Sequence, residues 1–374
     1  MHQDNLKSSG LRGMTAGKTA LSTVGKDGVG LTYRGYSIED LSMYAGFEET
    51  VWLLFYGKLP SQQELTTYKE KLKKLRDIPE PVKFCLEKIP ATTHPMDVMR
   101  SACSLLGDIE PEGSFEHQYN SAERILASLP SMLLYWYQFS HHGIRIDPLT
   151  DEETLAGHFL HLLHNKTPTA DHRRCLDVSL ILYAEHEFNA STFTARVCAA
   201  TLSDIHSCVT GAIGTLKGPL HGGANEAAME MIERYQTPAE AKNGLLAMLE
   251  KKEKIMGFGH AIYRDKDPRN NIIKEWSAKL AQSCGDKRYY PVSEIIEKTM
   301  WEEKKLCANA DFYHASAYHF MNIPTKLFTP LFVCARSSGW MSHVMEQRAD
   351  NRLIRPSAEY IGPELQKWQP IESR

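Results

Sequence analysis

Apolar residues recur at three- and four-residue intervals along this chain, and that spacing confines it to a fold of packed helices. Leu65, Tyr68, Leu72 and Leu75 mark one such face, and Leu245, Leu249 and Met256 a looser one, because positions so spaced fall on one side of a helix. Strand periodicity is limited to the N-terminal region. There, residues 19–24 and 31–34 flank a glycine-rich turn containing Asp27-Gly28, the pattern of a short hairpin. Helix ends are legible as well. Thr237-Pro238-Ala239-Glu240 combines an N-cap, a proline at the first helical position and a capping-box glutamate, and Gly257 suits the far end of that helix. Pro79-Glu80-Pro81, Pro111-Glu112-Gly113 and Pro168 punctuate the rest, so the expected class is mainly α.

A chain of 374 residues exceeds what one core usually serves, and two packed units are expected. The best hinges are Gly218-Pro219 running into Gly222-Gly223, and Met321-Asn322-Ile323-Pro324. They divide the chain into a large helical domain, 1–221 with 323–374, and a smaller mobile helical domain, 222–322. The 43 basic and 46 acidic residues leave a net charge of -3, which gives no overall field to attract a nucleic-acid backbone. No apolar run approaches the roughly 18 residues of a membrane span, and the first residues lack a secretory apolar core. A cytoplasmic protein is expected. The eight cysteines are widely spaced without a C-x-x-C pair and read as buried thiols rather than a zinc or redox motif. His158, His161 and His164 lie at steps that do not put all three on one helix face, so packing or interhelical hydrogen bonds are preferred to a metal site.

Three stretches carry chemistry. In Gly218-Pro219-Leu220-His221-Gly222-Gly223-Ala224-Asn225-Glu226 a histidine precedes a helix start. The positive helix end keeps imidazole neutral and able to donate to a carbonyl becoming an enolate; capping of a turn is the other reading. His260 follows Gly257-Phe258-Gly259 and precedes Arg264 and Arg269. The glycines permit close approach of a ligand and Arg269 offers a fork for a carboxylate, although a basic loop after a helix would look the same. In Asn309-Ala310-Asp311-Phe312-Tyr313-His314 an apolar setting would raise the Asp311 pKa and make it a general base, unless it merely caps the helix. Arg336 and Arg355 sit in apolar or proline-bounded surroundings and call for an anionic partner, either a structural carboxylate or a ligand.

Together, Tyr183-Ala184-Glu185-His186-Glu187-Phe188-Asn189-Ala190-Ser191, the His221 loop, Gly257-Phe258-Gly259-His260 with Asp267-Pro268-Arg269, and Asn309-Ala310-Asp311-Phe312 occur in the order seen in the citrate synthase family. The likeness covers nearly the whole chain and resembles most the branch that forms 2-methylcitrate. It implies a large helical domain with an inserted smaller one, and a catalytic trio of His221, His260 and Asp311. It implies that oxaloacetate is held by His186, Arg269 and Arg336, with Phe188 and Asn189 in the same loop. Arg355 would reach in from the other subunit of a homodimer. For CoA it points to Lys254, Ile255, Met256, Gly257, Phe258, Lys304 and Asn309, and for acyl selectivity to Tyr183. The implied reaction condenses propionyl-CoA or acetyl-CoA with oxaloacetate, with no cofactor because acyl-CoA is a substrate. A citrate synthase preferring acetyl-CoA is the nearest alternative, and a noncatalytic helical CoA-binding or assembly protein the remote one.

Overall fold

A computed structural model describes residues 11, 14–25, 30–260, 262–263 and 266–374. The Asp27-Gly28 turn, Ala261, Arg264, Asp265 and the first residues of the chain lie outside the described residues. Among those described there are sixteen α-helices and one small antiparallel sheet. Its strands are Ser22–Val24, Leu31–Tyr33 and Tyr36–Ser37, with Ser22 opposite Tyr33 and Val24 opposite Leu31. The third strand goes beyond the expected hairpin; Gly35 takes a positive φ of 88°, which lets the chain reverse again. The sheet is anchored inward. Tyr33, fully buried, donates its hydroxyl proton to Ile181 O at 2.9 Å, with Glu185 O at 3.1 Å.

Two long helices form the centre of the larger assembly, Gln118–His142 and Phe328–Ala349. Apart from its last turn, Phe328–Ala349 is buried on all sides, as an apolar helix must be when neighbours surround it. It packs against the helices Phe47–Tyr56, Pro95–Ile109, Gln118–His142, Ala170–Tyr183, Ala190–Ala200 and Ile205–Leu216. The helices Ala224–Ile232, Pro238–Glu250, Pro268–Cys284, Tyr289–Lys304 and Ala310–Phe320 pack largely on one another.

Local signals held with instructive exceptions. Thr237 caps its helix by accepting from Glu240 N at 3.2 Å, but the Glu240 carboxylate accepts from Gln236 N, one residue before the expected box partner. That helix stops at Glu250, so Met256 and Gly257 are not its end; Lys252 takes a positive φ of 58° just beyond it. Of the cysteines, Cys85 and Cys284 are exposed, which corrects the expectation of uniformly buried thiols. The three spaced histidines each find a separate partner: His158 the Ser131 and Thr150 hydroxyls, His161 the Glu152 carboxylate, and His164 the Met321 carbonyl. No helix among the described residues is long and apolar enough to cross a membrane.

Candidate active site

Asp311 lies in the first turn of the helix Ala310–Phe320, but it does not cap it. Asn309 does, its Oδ1 accepting from Asp311 N at 3.1 Å while its Nδ2 donates to Gly259 O at 3.0 Å. The Asn309 side chain is thereby spent on joining the His260 loop to the Asp311 helix. Backbone pairing of Gly259 N with Cys307 O and of Asn309 N with Gly257 O reinforces the joint. The Asp311 carboxylate accepts from the Tyr183 hydroxyl through Oδ1 at 2.5 Å, and Oδ2 makes no hydrogen bond among the described residues. Burial raises the Asp311 pKa, partly offset by the Tyr183 hydrogen bond and by the Arg269 and Arg336 charges.

The imidazoles are held neutral, each with one nitrogen committed. His221 stands just before the Ala224–Ile232 helix, where Gly222 is packed so tightly that a Cβ would collide with Leu216 O. His221 Nε2 accepts from Ser191 N at 3.2 Å and lies 2.8 Å from Ser191 Oγ. A neutral ring with Nε2 accepting carries its proton on Nδ1. The Ser191 hydroxyl is itself fixed, accepting from the Trp340 indole at 3.0 Å with its one proton held between Asn189 Oδ1 and His221 Nε2, each 2.8 Å away. His260 is the mirror case. Its Nδ1 accepts from Ile262 N at 3.1 Å and Tyr263 N at 3.3 Å, so its proton sits on Nε2. Burial lowers both rings to about 4, helped by Arg336 for His221 and by Arg269 for His260.

His186 meets His260 edge to face with ring centroids 5.1 Å apart. It is buried, its Nε2 has no partner among the described residues, and burial together with Arg269, His260 and Arg336 holds its pKa well below normal. Arg336 is buried with Nε donating to Tyr183 O at 2.5 Å and no carboxylate within ion-pair reach among the described residues. A buried guanidinium without a counter-ion and a buried imidazole nitrogen without a partner are costly unless an anionic, hydrogen-bonding ligand completes them.

Other expected residues are differently employed. Arg269 is committed on one edge, with Nε 3.0 Å and Nη2 2.8 Å from the Asp267 carboxylate, which also accepts from Ala310 N. Burial opposes the Asp267 charge, but Arg269 outweighs it and holds that carboxyl below the usual range. Asn189 caps the Ala190–Ala200 helix, and Phe188 is stacked beneath the Arg196 guanidinium at 4.5 Å, so both support the loop from behind. Ile255 and Gly257 are buried, whereas Lys254 and Lys304 are exposed. Arg355 lies exposed in the irregular segment after Ala349 and is not brought to the other residues within one chain.

The Tyr183–Asp311, Ser191–His221 and Asp267–Arg269 bonds went unread in the sequence. Only the last had a local signal, since Asp before Pro at a helix start is a cap whose next turn is within reach.

A helical scaffold that gathers a desolvated carboxylate, two neutral N–H donors and two buried guanidiniums is equipped to hold a small polycarboxylate and to move a proton on carbon. Comparison with known proteins narrows this class. The family model described as citrate synthase, C-terminal domain, matches residues 10–357. The 2-methylcitrate synthase of Shewanella oneidensis is 63% identical over 99% of this chain and 98% of its own length. Citrate synthase 2 of Bacillus subtilis is 44% identical over 98% of both chains. Among solved structures, the ternary complex of citrate synthase from Thermoplasma acidophilum with carboxymethyl coenzyme A and oxaloacetate superposes with a TM-score of 0.91. It is 30% identical and covers 98% of this chain and 99% of that one. The chain belongs to the citrate synthase family.

Proposed function

We propose that this enzyme is an acyltransferase that condenses propionyl-CoA with oxaloacetate and water to 2-methylcitrate and CoA, with some activity toward acetyl-CoA. Asp311 takes a proton from the α-carbon of the thioester. The His221 Nδ1–H donates to the thioester oxygen as charge develops there, and the His260 Nε2–H donates to the oxaloacetate ketone. The enol carbon attacks that ketone, forming the carbon–carbon bond and leaving the new oxygen to take up a proton. Water then cleaves the thioester, releasing CoA as the thiol and a tricarboxylate. Arg336, the free edge of Arg269 and His186 Nε2 bind the oxaloacetate carboxylates. No cofactor enters this scheme.

The observation that carries the reading is that backbone N–H groups point at one nitrogen of each imidazole, Ser191 N at His221 Nε2 and Ile262 N and Tyr263 N at His260 Nδ1, so a neutral ring carries its proton on the other nitrogen. Neutral donors match an oxygen whose charge grows during reaction better than a preformed cation, which would bind the ground state as strongly.

Identity with the Shewanella oneidensis protein supports propionyl-CoA as the preferred substrate. The acetyl-CoA alternative is favoured by the relatives named citrate synthase, such as the Bacillus subtilis protein. An apolar pocket separates the two acyl groups by only about 1–3 kcal/mol. Initial rates with acetyl-, propionyl- and butyryl-CoA decide between them, and a higher kcat/KM for acetyl-CoA overturns the preference proposed.

Residues 222–322 would close as a smaller domain over 1–221 and 323–374, sheltering the enol from water. Positive φ at Gly223 (79°) and Asn322 (55°) supports hinges there. Unchanged small-angle scattering on adding oxaloacetate and a CoA analogue would count against closure. Leu353, Tyr360, Ile361, Leu365 and Trp368 are at least 61% exposed along the C-terminal segment. They support a homodimer in which this segment lies on the partner and Arg355 completes the partner's oxaloacetate site.

A further inference from the structure

Tyr183 ends the helix Ala170–Tyr183 with its ring buried at 2% exposure. The ring is clamped between two others, His314 at 4.1 Å and Phe332 at 4.2 Å, with interplanar angles of 29° and 28°. Its backbone carbonyl is held by Arg336 Nε. A phenol fixed at both faces and at its main chain has one remaining freedom, rotation of the O–H, and its oxygen lies 2.5 Å from Asp311 Oδ1.

The neighbouring ring reinforces the arrangement. His314 Nδ1 lies 2.6 Å from Ala310 O, and a carbonyl only accepts, so that nitrogen donates. His314 thereby ties the ring stacked on Tyr183 to the first turn of the helix that carries Asp311.

We propose that Tyr183 is a positioning residue for the general base: its hydroxyl holds Asp311 Oδ1 and turns Oδ2 toward the substrate α-carbon. This deepens the function proposed above and rests on it. The site's acyl selectivity would then come from the clamped ring, and the base's orientation and proton affinity from the hydroxyl.

The groups facing Asp311 come from four directions. They are Tyr183 from the helix Ala170–Tyr183, Asp267 and Arg269 from the start of Pro268–Cys284, Arg336 from Phe328–Ala349, and Tyr318 from Asp311's own helix. Tyr183 remains protonated throughout the working range because burial and the Asp311 charge push its pKa well above 10. It is thus a permanent donor, and among the groups facing the carboxylate its hydrogen bond ranks first in opposing the effect of burial. Removing it leaves the ring in place but frees the carboxylate to rotate and to keep its proton to higher pH.

The test is Tyr183→Phe, which keeps the stack and deletes only the hydroxyl. Loss of a hydrogen bond to a charged group predicts a fall in kcat of roughly 10- to 100-fold. The acid limb of the pH profile should move to higher pH, and KM for propionyl-CoA should stay within about 3-fold, because uniform binding is untouched. Independently of turnover, the infrared carboxyl band that disappears in Asp311→Asn should titrate at higher pH in Tyr183→Phe than in the parent. A thermal melt within a few degrees of the parent establishes that the variant folds. An unmoved acid limb and an unmoved Asp311 band overturn the proposal, as does a change confined to the KM for propionyl-CoA. If the parent turns over neither acyl-CoA, the functional reading fails, and the infrared titration alone decides the role of Tyr183.

Discussion

Acid should destabilise this protein in part through His221 and His260, by an amount that follows from their surroundings. Burial, with Arg336 for His221 and Arg269 for His260, lowers both from 6.5 to about 4. Between those values the unfolded chain binds protons that the folded one refuses, so stability rises with pH across the window and is lost as pH falls through it. By a pH of about 5 each imidazole is mostly charged when unfolded and mostly neutral when folded, at a cost of about 2 kcal/mol per ring and about 4 for the pair. Above a pH of about 7 the cost vanishes. The assay is guanidinium unfolding of the parent and of the double variant His221→Asn, His260→Asn at a pH of about 7.5 and again at about 5. Taking the difference of differences cancels every other titrating group the two proteins share. The variant should lose about 4 kcal/mol less than the parent over that interval. Equal losses would refute the argument, because they would mean the rings titrate alike in both states and are not desolvated.

Other perturbations probe the supports of the site. Ser191→Ala strips the hydroxyl that the Trp340 indole donates to and that lies against His221, leaving a buried N–H unpaired; a melting study should show a loss of about 1–3 kcal/mol. The backbone N–H of Ser191 survives that change, so nitrogen NMR should still find the His221 proton on Nδ1. Gly339→Ala would push a Cβ into the Ala184 carbonyl and the Glu185 carboxylate. Beyond an overpacking cost of about 1–3 kcal/mol, this should raise KM for oxaloacetate, since the segment displaced leads into His186. Arg348→Met removes the bidentate partner of the buried Glu112 carboxylate, which also holds Ile205 N. Guanidinium unfolding should show a cost of about 3–5 kcal/mol.

What the sequence discloses and what it withholds divide along physical lines. Periodicity and caps act within a turn or two, so the mainly helical class, the cap at Thr237 and the glycine-bounded loops around His221 and His260 can be read from neighbouring residues alone. The chemical character of Asp311 was half legible. Its apolar flanks announce desolvation, but the capping alternative falls only when Asn309 is found in the cap. The partners that tune the site are another matter. Tyr183 and Asp311 are 128 positions apart, and Ser191 and His221 are 30 apart. No local rule pairs them, because the pairing is decided by how helices stack, and stacking depends on the whole set of buried faces.

One residue can satisfy a local rule and a more distant demand at once. Asp267 illustrates this: it begins as an ordinary N-cap for Pro268–Cys284, yet its two oxygens also hold the Arg269 guanidinium and the N–H of Ala310. One carboxylate therefore couples the arginine proposed to bind oxaloacetate to the residue preceding the proposed base. A bidentate pair leaves the guanidinium little freedom to reorient. Any shift of Arg269 as its free edge takes up a carboxylate would then be passed through Asp267 to the start of the Asp311 helix. The helix cap, a device for stability, thus also joins the arginine proposed to bind oxaloacetate to the helix of the proposed base.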